Sequence, residues 1–107
     1  MEHGTVVYRY TVKNGKFNVR EGVVNCAGFR NLVNFTDGGP AYRCPRKEDL
    51  GKIRSVGHSL WLNKKDDNLA RQVFIDYELD KIDKLRKQIA RKCAVIDMLS
   101  EGMEDTQ

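Results

Sequence analysis

The chain has 107 residues, 19 Lys and Arg against 15 Asp and Glu, 40% hydrophobic and 32% charged residues, and a formal net charge of +4. That length suits one core of the usual ~100–200 residues, and an ordinary share of aromatic and β-branched residues argues against wholesale disorder. No apolar run approaches the ~20 residues that span a bilayer, and Met1-Glu2-His3-Gly4 does not begin a signal peptide.

The first element is a hairpin. Thr5 to Lys13 alternates Val6, Tyr8, Tyr10 and Val12 with Val7, Arg9, Thr11 and Lys13, and Asn14-Gly15 follows. That dipeptide is the favoured pair of a two-residue type I′ turn, in which both residues take positive φ. Folding about it opposes Val12 with Phe17, Tyr10 with Val19, Tyr8 with Glu21 and Val6 with Val23, so one apolar face meets another. A second pair is expected from the alternation over 29–35, the turn chemistry of Asp37-Gly38-Gly39-Pro40 and a short strand over 41–44. Lys47 to Lys52 reads as a turn or a single helical turn, and Ser59-Leu60-Trp61-Leu62 as a final strand at an edge or beside the first hairpin. The fold class implied is α+β: an antiparallel sheet of about four to five strands packed on one long C-terminal helix.

The helix follows from a change of period. From Asp66, a good N-cap with Asp67 behind it, a 3.6-residue pattern runs without a breaker to Ser100, and Gly102 supplies a stop. Such a helix spans roughly 50 Å at 1.5 Å per residue, well beyond a ~13 Å radius of gyration. Its apolar residues form two stripes. Leu69, Ala70, Val73, Phe74 and Tyr77 make one; Ile75, Leu79, Ile82, Leu85, Ile89, Cys93 and Ile96 make another, well over 90° around. Ile82, Leu85, Ile89, Ile96 and Leu99 also fit a and d heptad positions, interrupted by Lys92. One stripe covers the sheet; the other needs a partner, which a homodimer through the helix would supply. A break near residues 80–88, folding the helix back as a hairpin, is the alternative. The chain is thus read as one domain over 1–107, with a β-rich part over 1–62, the long helix over 63–101 and a flexible tail over 102–107.

Residues of chemical interest are few. There is no G-x-S-x-G, P-loop, H-E-x-x-H or G-x-G-x-x-G. His3 and His58 have no ligand spacing with Cys26 or Cys44, and an exposed histidine or a small buried cysteine explains each. Cys26, Cys44 and Cys93, an odd count without C-x-x-C, point to free thiols in a reducing cytoplasm. Asp76, Asp80 and Asp83 read as a solvated helix face paired with Lys84 and Lys87. No cofactor, no metal and no enzymatic activity are expected.

Charge points to binding. Residues 1–62 hold ten basic and five acidic residues, whereas residues 63–107 hold nine and ten. The hairpin register sets Arg9 directly across from Arg20, with Lys13 on the same face. Like charges so placed repel, and an anion would relieve them. Arg30, Arg43, Arg46, Lys47 and Arg54 extend the basic set, with Tyr8, Tyr10, Phe29, Tyr42 and Trp61 interleaved. Phosphates or an acidic protein surface would both fit. A soluble sheet with one charged face is the plainer explanation. Lys81, Lys84, Arg86, Lys87, Arg91 and Lys92 form a second basic group on the helix, but interspersed aspartates argue against a membrane.

The stretch Ser59-Leu60-Trp61-Leu62-Asn63-Lys64-Lys65-Asp66-Asp67-Asn68-Leu69-Ala70-Arg71-Gln72-Val73-Phe74, leading into a charged helix, resembles small uncharacterised proteins of phages and mobile elements of Gram-positive bacteria. In those, a strand ending in an apolar-aromatic triplet is followed by an acidic cap and a long Lys-rich helix. The resemblance covers residues 59–92 and carries over no functional residues. Such elements also encode compact inhibitors of host defence, anti-CRISPR proteins among them. The resemblance therefore implies a binding protein that inhibits a host complex such as a CRISPR nuclease. The positive charge departs from acidic, DNA-mimicking inhibitors. A small basic nucleic-acid-binding or regulatory protein is the alternative.

Overall fold

The hairpin register anticipated from Asn14-Gly15 is the frame on which the rest is hung. A computed structural model describes residues 1–54 and 58–103. Strands β1 (Val6–Lys13) and β2 (Lys16–Asn25) pair antiparallel with Val12 facing Phe17, Tyr10 facing Val19 and Arg9 facing Arg20. Asn14 and Gly15 adopt φ of 53° and 72°, as the type I′ turn requires. Strands β3 (Leu32–Phe35), β4 (Tyr42–Arg43) and β5 (Ser59–Leu62) complete a five-stranded antiparallel sheet in the order β4-β3-β2-β1-β5. A 3-10 helix spans Lys47–Asp49, and helix α1 spans Asp67–Glu101 without interruption. The fold is α+β.

Two strands are shorter than the sequence pattern anticipates. The second pair begins at Leu32 rather than Phe29, because residues 27–30 bend away from the sheet and pair with nothing in it. The strand expected over 41–44 is reduced to Tyr42–Arg43, since Pro40 precedes it and Pro45 has no amide to donate.

The larger difference lies in which faces of the sheet are buried. The alternation of the hairpin implies one apolar face and one charged, solvated face, yet both faces carry core. On one side Tyr10, Leu60 and Leu62 pack with Ala70 and Phe74 of the first turns of α1, flanked by Tyr8, Phe17, Val19, Ile53 and Val73. On the other, Val7, Val24, Val33, Phe35 and Trp61 form a second cluster, flanked by Met1, Cys26, Cys44 and Leu50. Arg9 and Arg20 sit on this second face, because Arg9 is opposite Trp61 in the β1–β5 register and alternates with Val7. All four residues of β5 are buried, which explains why Leu60-Trp61-Leu62 is an unbroken apolar run instead of alternating.

The chain divides into two compact units, Met1–Phe74 and Ile75–Gln107. In the first, Asp66 caps α1 by accepting the Leu69 amide at 3.0 Å. In the second, α1 continues to Glu101 and the Gly102 amide closes it onto the Met98 carbonyl at 3.3 Å. No helical residue after Phe74 is buried. Of the tail assigned to 102–107, residues 104–107 lie outside the described residues. Among the described residues, no helix is long and apolar enough to cross a membrane.

Candidate anion-binding cleft

The basic residues singled out on the sheet half do not form one patch. Arg9 and Arg20 are directly opposed, but each is already engaged within the chain. The Arg9 guanidinium donates to the Ser59 hydroxyl from Nε at 3.3 Å and Nη2 at 3.1 Å, and lies 4.3 Å from the Tyr42 ring centroid. Arg20 donates from Nε and Nη2 to the two carboxylate oxygens of Asp37 at 3.1 and 2.8 Å, and from Nη2 to the Gly38 carbonyl at 2.7 Å. Its guanidinium covers Phe35 at 3.8 Å. The Arg20 bonds hold the Asp37 carboxyl below the usual carboxylate range. Their mutual repulsion is thus relieved by a carboxylate, a carbonyl, a hydroxyl and two rings from this chain. Lys13 is exposed at the hairpin tip, across from Lys16.

Arg30, Arg43 and Arg46 come together elsewhere. With Phe29, Asn31, Cys44, Asp49 and Arg54 they line an open cleft of about 730 Å³. Three local decisions build it. The bend over 27–30 carries Phe29 and Arg30 off the sheet. The Cys44 amide donates to the Asn31 carbonyl at 2.9 Å, fixing the chain after β4 beside that bend. Pro45 then turns the backbone, and Arg46, extended at φ −73° and ψ 151°, opens the 3-10 helix and accepts the Asp49 amide at 2.9 Å.

The electrostatics of the cleft are one-sided. Arg54 is 3.6 Å from the Asp49 carboxylate. The ion pairs among the described residues otherwise join Arg20 to Asp37 or lie within α1. Arg30, Arg43 and Arg46 are exposed and belong to no such pair. Phe29 stands fully in solvent at the rim. Burial pushes the Cys44 thiol above its usual range, which keeps it protonated and makes it a poor nucleophile or metal ligand.

Chemically, the arrangement offers planar, permanently charged donors to an anion and one aromatic face to whatever that anion carries. Among the described residues, no three His, Cys, Asp or Glu side chains gather as a metal site. His3 uses Nδ1 to accept the Cys26 amide at 3.0 Å. The sequence grouped Arg54 with Arg30, Arg43 and Arg46, but it joined that set to Arg9 and Arg20, which do not line this cleft. Trp61, at a position nominally on the charged face, was the clue that this face is packed. No family model, curated protein or solved structure matches the chain.

Proposed function

We propose that the chain acts by binding rather than by catalysis, and that its ligand is a phosphate-bearing strand, a single-stranded nucleic acid, held in the arginine cleft. The observation that carries this reading is the convergence of Arg30, Arg43 and Arg46, none ion-paired, beside the exposed ring of Phe29. Single-stranded nucleic acid presents the two matching features, phosphates for the guanidiniums and unstacked bases for the ring. The duplex offers no free base to Phe29. This reading favours the nucleic-acid partner over an acidic protein surface, with the cytoplasm as the compartment that supplies it.

Fluorescence anisotropy with a labelled oligonucleotide of about 15 nucleotides tests it. Binding at low salt should weaken steeply as salt rises, with a slope of about −0.7 per phosphate contact. The triple variant Arg30→Ala/Arg43→Ala/Arg46→Ala should abolish most of that slope. Phe29→Ala should weaken binding about five- to 150-fold, given ~1–3 kcal/mol per stacked base. Undiminished binding by both variants would overturn the assignment.

A second reading, a mobile-element accessory protein that inhibits a host complex such as a CRISPR nuclease, draws on a different observation. The large apolar side chains from Ile75 to Leu99 are exposed along the helix, an apolar surface of the kind proteins bury against proteins. The two readings meet where such a complex carries an accessible RNA or DNA strand. Co-purification of one stable protein partner, with no affinity for free oligonucleotide, would favour the inhibitor.

A further inference from the structure

The second unit poses a physical problem of its own. Ile75, Leu79, Ile82, Leu85, Ile89 and Ile96 are 43–60% exposed, and isolated helices are marginal in water without a packed face. The in-helix ion pairs Lys84–Asp80 at 2.9 Å and Lys87–Asp83 at 3.1 Å are solvent-exposed and do not substitute for a packed face. Isoleucine recurs at 75, 82, 89 and 96, a strict seven-residue spacing. With these at position a, position d holds Glu78, Leu85, Lys92 and Leu99. Ile at a with Leu at d is a coiled-coil pattern, in which charged residues within or beside the seam constrain register and orientation.

We infer that α1 pairs with the same helix of a second copy in antiparallel orientation, joining the two chains as a dimer. The charge distribution decides the direction. In that heptad the charged residues in or beside the seam are Glu78 and Lys92 at d, Arg86 at e and Lys81 at g, whereas Asp76, Asp80, Asp83, Lys84, Lys87 and Arg91 fall at b, c and f on the far side of the helix. A parallel pair places Glu78 on Glu78 and Lys92 on Lys92 in the seam. An antiparallel pair with Ile82 of one copy against Leu85 of the other sets Glu78 of each copy among the basic residues beside the seam of the other. In that register Glu78 falls opposite Ile89 of the second copy, between its Arg86 and Lys92, each one helical turn away. The lysine that interrupts the heptad thus gains a counter-ion. Like-charge juxtaposition rejects the parallel alternative, the role that buried polar residues play in other coiled coils.

Sedimentation equilibrium of the full chain should show a dimer at about 50 µM, loosened by high salt. Ile82→Glu/Ile89→Glu should raise the dimer Kd about a hundredfold or more, since charges would enter the centre of the seam. These side chains are exposed in the single chain, so the sheet's thermal transition, followed by near-UV dichroism, verifies that the variant is folded. Direction is read by cross-linking in a Cys93→Ser background. Chains carrying Ile75→Cys, mixed with chains carrying Lys92→Cys, should give the mixed disulfide in several-fold excess over either homodisulfide. A monomer at about 100 µM, a dimer indifferent to the double glutamate variant, or preferential Ile75→Cys self-linkage would each overturn the proposal.

Discussion

Tyr10 ties the sheet to the helix through a single oxygen. Its hydroxyl donates to the Asp67 carboxylate at 2.8 Å and accepts the Asp66 amide at 3.0 Å, with the ring fully buried. Removing that oxygen leaves an amide and a carboxylate without their partner, so Tyr10→Phe should cost about 1–2 kcal/mol in a denaturant titration. The same group gives a pH signature. Burial, together with the bond to Asp67, pushes its pKa up to about 12 from 10.0. The folded chain therefore holds the phenol proton more firmly than the unfolded chain does. That stabilisation is complete below pH 10 and is lost as pH rises through 12. The stability gap between wild type and Tyr10→Phe should be constant below pH 10 and close between about pH 10 and 12. A gap that persists unchanged at pH 12 would contradict the assignment. Arg20 shows the reverse of what its position in the sequence implied. Its strand opposite supplies a like charge, but its ligands, Asp37 and Gly38, come from the turn after β3. Nothing in the local alternation identifies them.

The strands show how tightly the second core is packed. Gly22 lies in β2 opposite Val7, and a Cβ there would press into Val33 Cγ1, with Phe35 Cδ1 at 3.3 Å. Its backbone is ordinary extended strand, so the requirement is one of volume. Gly22→Ala should destabilise the fold by about 1–3 kcal/mol, the usual cost of overpacking, read as a lowered thermal midpoint. A neutral result would mean that this face of the sheet is loosely packed. Most of the element plan was legible in the sequence: the hairpin and its register, the strand over 59–62 and the Asp66 cap, whereas the pattern also admitted a helix break near 80–88 and α1 runs unbroken over Asp67–Glu101. These depend on turn chemistry, capping and periodicity, which act over a few residues. The shortening of β3 and β4 was not legible, because strand ends are set by what a neighbouring strand can pair with. The bend over 27–30 that projects Phe29 and Arg30 is the same effect seen from the other side.

At the scale of the whole molecule, the two units divide the work. The sheet unit contains both core clusters and the arginine cleft; the helical unit contains the exposed apolar seam. A chain ending at Glu78 keeps Ala70 and Phe74, the helical residues that are buried. It should unfold cooperatively, with a midpoint within about 5 °C of the dissociated full chain. On the proposed reading of the cleft, it should match the oligonucleotide affinity of the full chain while sedimenting as a monomer. Loss of the cooperative transition would show that the helix beyond Phe74 supports the sheet.

The net charge of +4 illustrates where each level of description takes over. By itself, the sequence determined that the positive excess belongs to residues 1–62, that this part folds from an Asn-Gly hairpin, and that a capped helix with two apolar stripes follows. Local propensity and periodicity suffice for those. Only the tertiary structure decided which arginines remain available. Arg9 is occupied by the Ser59 hydroxyl and the Tyr42 ring, and Arg20 by the Asp37 carboxylate, the Gly38 carbonyl and the Phe35 ring, none of them a sequence neighbour. Arg30, Arg43 and Arg46 are set side by side by a bend, a strand end and a proline turn. Charge is counted along the chain, but its availability depends on contacts between residues far apart in it. The range of those contacts is why the cleft could not be read from the alternation that revealed the sheet.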